Sequence, residues 1–116
     1  MGSWIYLEDA EGNPVQVKTH KEGGTYVLGG SSDATMSITW NYSEYYYDTV
    51  DHEHGLRWIN GKKAKDTLER LESALAKLGD NPASDYWART EGNAGHALAI
   101  LIGWAKQHPE AVWSID

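Results

Sequence analysis

The chain has 116 residues, no cysteine, no phenylalanine and a formal net charge of −7 at pH 7. That length predicts one domain over residues 1–116, large enough to bury a core without covalent staples. Lack of cysteine excludes disulfides, thiolate metal sites and a cysteine nucleophile, and the acidic balance argues against nonspecific DNA or anionic-membrane binding, which needs a basic surface.

The first half reads as β. Trp4 to Leu7 is a short apolar run, and "EGNP" at 11–14 is turn chemistry. Val15 and Val17 alternate with polar neighbours. "EGGTYVLGGSSD" at 22–33 puts a short Tyr26–Leu28 strand between two glycine pairs. The clearest strand runs from Thr35 to Tyr42, with Met36, Ile38, Trp40 and Tyr42 on one side and Thr35, Ser37, Thr39 and Asn41 on the other.

The second half reads as helix. Leu68, Leu71, Leu75 and Leu78 form one apolar stripe, Gly79 is the expected C-terminal cap, and Pro82 prevents resumption. A second helix starts near Glu91 and ends by His108, before Pro109, with a core face of Ala94, Leu98, Leu101 and Ala105 widened by Ile102. "AVWSID" supplies a short last strand. Strands first and helices after predict an α+β fold: an antiparallel sheet from the N-terminal half and the C-terminal strand, with two helices on one face. The reading expects a cytoplasmic protein without a secretory signal or membrane segment. The longest apolar run, 97–105, is interrupted by Gly103 and is too short to span a bilayer.

Three stretches offer chemistry. "SITWNYSEYYYD" at 37–48 packs five polar-tipped aromatics into eight positions. Trp40 and Tyr42 suit a core with wet edges. Tyr45, Tyr46 and Tyr47 are consecutive and cannot all face one side of a strand or one stripe of a helix, so at least one is expected at the surface. Exposed tyrosines make protein interfaces or stacking platforms for bases. "ARTEGNAGHAL" at 88–98 opens the second helix, where free N–H groups attract anions; Gly92 and Gly95 leave room, and Arg89 and His96 offer donors. The competing reading has Thr90 as the helix cap and the glycines as close packing points. "DHEHG" at 51–55 puts His52 and His54 beside Asp51 and Glu53, but a zinc site needs three or four converging ligands, and no metal or other cofactor is expected. No serine sits in a nucleophile elbow, and paired carboxylates have no specific support.

Taken together, "GGTYVLGG", "NYSEYY", "GKKAKDTL", "DYW" and "GNAGHAL" before a final "VW" resemble a family of small uncharacterised proteins common in bacteriophages and prophages. The resemblance covers nearly the whole chain and carries no activity. It implies a phage context, a host-cell cytoplasmic location and an accessory role against host defences. Two functions follow as expectations. The first is a non-enzymatic protein that sequesters a small phosphorylated, nucleotide-like ligand with Tyr45, Tyr46, Tyr86, Trp87, Arg89, Gly92, Asn93, Gly95 and His96. The second is an inhibitor that docks its acidic, tyrosine-rich surface on a host defence protein, as anti-CRISPR proteins do. A hydrolase or a minor virion protein ranks below both, and self-association is left open.

Overall fold

Alternation in the strands decides how the sheet lies. A computed structural model describes residues 2–17, 25–26, 34–39, 42–81 and 89–115. Strand β1 (Gly2–Glu8) turns Ile5 and Leu7 into the core and leaves Trp4 and Tyr6 half-buried on the other face. Strand β2 (Thr25–Tyr26) is short, and β3 (Thr35–Thr39) buries Met36 and Ile38. Strand β4 (Val112–Ile115) buries Trp113 and Ile115. The order across the sheet is β2-β3-β1-β4, and every pairing is antiparallel. Register puts Ile5 opposite Met36 on one side and Ile115 on the other, with Leu7 opposite Trp113, so these side chains form one continuous apolar face.

The turn after β1 is organised by Asp9. Its Oδ1 accepts the backbone N–H groups of Glu11 and Asn13, and its carbonyl accepts that of Gly12. This is the expected "EGNP" turn, with an aspartate supplying the hydrogen bonds. The outer edge of β4 is covered by residues 60–64. Gly61 N–H donates to the Trp113 carbonyl, Trp113 N–H donates to Lys62, Ala64 N–H donates to Ala111, and the Asn60 side-chain oxygen accepts from Ile115 N–H. Covering that edge removes an unpaired row of donors and acceptors.

The described residues also form three α-helices and one 3-10 helix. Helix α1 spans Ser43–Thr49, the 3-10 helix spans Gly55–Ile59, α2 spans Ala64–Leu78 and α3 spans Glu91–Gln107. The fold is α+β, with α2 and α3 packed on the apolar face of the sheet. Ile5, Leu7, Met36 and Trp113 share one buried cluster with Leu71, Ala74, Leu98 and Leu101, and the Trp113 indole N–H donates to Thr67 Oγ1 across the layers at 3.0 Å. No helix among the described residues is long and apolar enough to cross a membrane.

Two details differ from the sequence reading. The strand expected to run to Tyr42 is seen over Thr35–Thr39, and Trp40 and Asn41 lie outside the described residues. Tyr42 instead stands at the N-terminus of α1, where Tyr42, Tyr46 and Val50 recur every four residues and are all buried. Tertiary packing of that stripe overrides the β propensity of a tyrosine run. On α2 the buried line is Ala64, Thr67, Leu71, Ala74 and Leu78, while Leu68 and Leu75 flank it half-buried. Gly79 closes α2 as expected, at a φ of 74° that other residues adopt with strain, its N–H donating to Leu75.

Helix α3 is buried over a wider arc than its predicted core face. Asn93, Gly95, Ala97, Ile100 and Trp104 join Ala94, Leu98, Leu101, Ile102 and Ala105. Its C-terminus is anchored by His108, whose ring Nε2 lies 2.5 Å from the Gln16 carbonyl oxygen.

Candidate functional site

Helix α1 carries the tyrosine run, including Tyr45 and Tyr46 of the residues singled out above. Its three consecutive tyrosines point in three directions, as a turn of about 100° per residue requires. Tyr46 faces inward. Its ring meets the Tyr42 ring edge-on, with centroids 6.5 Å apart, and its hydroxyl donates to the Ala94 carbonyl at 3.0 Å. Burial, and secondarily the neighbouring Tyr42, pushes the Tyr46 phenol well above its ordinary pKa. This residue was expected as a stacking platform; it is a core residue that ties α1 to α3.

Tyr45 is half-buried at the rim. Its hydroxyl donates to the Arg89 carbonyl at 3.2 Å, while the Arg89 guanidinium pairs with Glu44. Tyr45 and Arg89 are therefore neighbours, as the ligand reading supposed. The arginine charge, however, is already answered by a carboxylate from the same helix as the tyrosine.

Tyr47 faces outward. At 44% exposure it is the large hydrophobic side chain that the described residues leave at the surface. Its ring packs against Gly55, where an added Cβ would stand 3.2 Å from two of the ring carbons. Glu44, three residues before, shares its side of the helix but is paired with Arg89, and Asp48 is exposed at the next position. Past the helix, Asp51 organises the loop. Its Oδ2 accepts the N–H groups of His54 at 2.8 Å and Glu53 at 3.2 Å, and its Oδ1 takes the Arg70 guanidinium at 3.3 Å. The His54 N–H bond is the main cause that holds the Asp51 carboxyl below its usual range, with Arg70 adding a smaller push.

The start of α3 serves packing. Thr90 Oγ1 accepts the Asn93 N–H at 3.1 Å and caps the helix. Gly95 sits against the Gly79 carbonyl and Gly92 against the Asn81 carbonyl, both so closely that a Cβ at either would collide with the oxygen. Carbonyl oxygens repel a phosphate, so the surface these two glycines present is closed to the anion expected there. Asn93 is fully buried, and His96 is half-buried with a polar partner. Tyr86 and Trp87 lie outside the described residues. His52 and His54 are exposed, and no group of three metal-ligating side chains converges among the described residues.

A second aromatic centre lay outside the sequence reading. Trp58, half-buried in the 3-10 helix, carries the Lys62 ammonium 4.6 Å and the Arg70 guanidinium 4.1 Å from its ring centroid. Lys62 follows Trp58 by four residues, a spacing visible in the sequence; Arg70 arrives from α2 and gives no local signal. Comparison with protein-family models, with curated proteins and with solved structures returned no match.

Proposed function

We propose that the chain is a non-enzymatic binding protein that docks on a basic protein surface through the outward face of α1. The observation that carries this reading is the exposure of Tyr47, next to the exposed Asp48, on a helix whose Tyr45 and Tyr46 hydroxyls are both tied to backbone carbonyls. A rigid, amphipathic ring on the surface of an acidic chain suits a partner rich in lysine or arginine. The net charge of −7 speeds association with such a surface. The sequence resemblance to phage and prophage proteins makes a host defence effector the partner class to test first. Sequestration of a phosphorylated ligand is the weaker reading, because Arg89 is paired with Glu44 and Gly92 and Gly95 are packed on carbonyl groups.

The test is a comparative pull-down from bacterial lysate with the wild-type chain, Tyr47→Ala and Asp48→Lys. Retention of one protein by the wild type and its loss with either variant, at unchanged melting temperature, supports the reading. Equal retention by all three, or release of a nucleotide alone on denaturation, overturns it.

A further inference from the structure

Trp58 presents an arrangement that internal packing does not account for. One cation over an indole face is a common tertiary contact worth up to about 2 kcal/mol when desolvated. Here one ring holds two, Lys62 from the following loop and Arg70 from α2. Bringing two positive charges to one ring costs mutual repulsion, and Asp51 pairs with only one of them, through Arg70. The cluster carries an excess of positive charge in a chain that is otherwise strongly acidic.

Its donors are mostly unused. Lys62 commits one N–H to the Trp58 carbonyl at 2.7 Å, and Arg70 uses its Nη1 toward Asp51 at 3.3 Å. An ammonium has three donors and a guanidinium five. The remaining donors of both, and the Trp58 indole N–H, have no partner among the described residues. The Arg70 side chain is 45% exposed, and Lys62 is half-buried.

We propose that Trp58, Lys62 and Arg70 form a binding site for an oxyanion, a phosphoryl or carboxylate group carried by a small ligand. The anion takes up donors that the two cations leave unused and offsets their charge, and the indole holds both heads so that little side-chain entropy is lost on binding. The site is separate from the α1 face, and its failure would leave the docking reading untouched.

The experiment follows the indole N–H resonance of Trp58 in a two-dimensional nitrogen–proton NMR spectrum of the full chain, assigned with Trp58→Phe. Inorganic phosphate and succinate are titrated separately at ionic strength held constant with chloride. A saturable shift of the Trp58 resonance is expected, weakened roughly tenfold in Lys62→Gln and in Arg70→Gln, the loss of one charge-assisted bond. Saturation by phosphate assigns the site to a phosphoryl group, and saturation by succinate assigns it to a carboxylate. Shifts that do not saturate with either anion overturn the proposal in the wild-type chain alone, whatever the fate of the variants. Saturation that persists undiminished in both folded variants overturns the assignment to these residues.

Discussion

The Tyr46 hydroxyl donates to the carbonyl of Ala94 at 3.0 Å, a bond between residues 48 positions apart that pins α1 to the first turn of α3. Its neighbour Tyr47 makes no such anchor and stands 44% exposed. Adjacent tyrosines thus predict opposite mutational behaviour. Tyr46→Ala removes a buried ring and a satisfied hydrogen bond and should cost about 3–5 kcal/mol. Tyr46→Phe deletes only the hydroxyl and should cost about 1 kcal/mol, leaving the domain folded. Tyr47→Ala should change stability by less than about 0.5 kcal/mol. Chemical denaturation of the three variants checks the order, and equal losses at 46 and 47 would contradict the packing of α1.

Leu71 lies fully buried at the centre of the α2 stripe that faces the sheet. Leu71→Asp puts an unpaired carboxylate there and costs several kcal/mol against a total of roughly 5–15, so the domain should fail to fold. Loss of the cooperative thermal transition in far-ultraviolet circular dichroism is the expected result. Leu68→Asp, at a half-buried flank of the same helix, should be milder.

Whatever was legible in the sequence rested on period and punctuation. Helix α2 announced itself through leucine spacing and Gly79, β3 through apolar alternation, and β1 and β4 as short apolar stretches at the two ends of the chain. Helix α1 was hidden because its tyrosines favour strands by propensity, while the Tyr42–Tyr46–Val50 spacing that makes it helical spans only two turns. The glycines of α3 left two readings open, an anion site and close packing, for a simple reason. A glycine that admits a phosphate and one that admits a neighbouring backbone look identical in sequence, and the partners here, Gly79 and Asn81, are identified only by the fold. The Trp58 cluster was illegible because Arg70 reaches it from another helix.

That distinction among glycines can be measured. Gly95→Ala drives a Cβ into the Gly79 carbonyl, and backbone on both sides resists moving, so a loss of about 1–3 kcal/mol is expected. Gly103, also inside α3, has nothing within 4 Å of an added Cβ and no positive φ. Gly103→Ala should therefore stabilise the protein by up to about 1 kcal/mol, through helix propensity and a less flexible unfolded chain. Melting temperatures that move in opposite directions support the packing. A harmless Gly95→Ala would return the α3 N-terminus to consideration as an anion site.

Acid stability should report on Asp51. Hydrogen bonds from His54 and Glu53 and the Arg70 guanidinium hold its folded pKa below the unfolded value, which lies near about 4 for an aspartate. A group with a lowered folded pKa binds more protons unfolded than folded in that range. Its stabilising contribution is complete above the unfolded pKa and is lost as pH falls through the folded one. The loss therefore belongs below pH about 4, not near neutrality. Asp51→Asn removes the titration, so its stability deficit relative to wild type should be largest near neutral pH and shrink as the pH drops below about 4. Urea denaturation of both proteins from neutral to acidic pH measures the difference directly. A gap that stays constant down to the acid limit would mean that the Asp51 carboxylate does not hold the 51–55 loop through its charge.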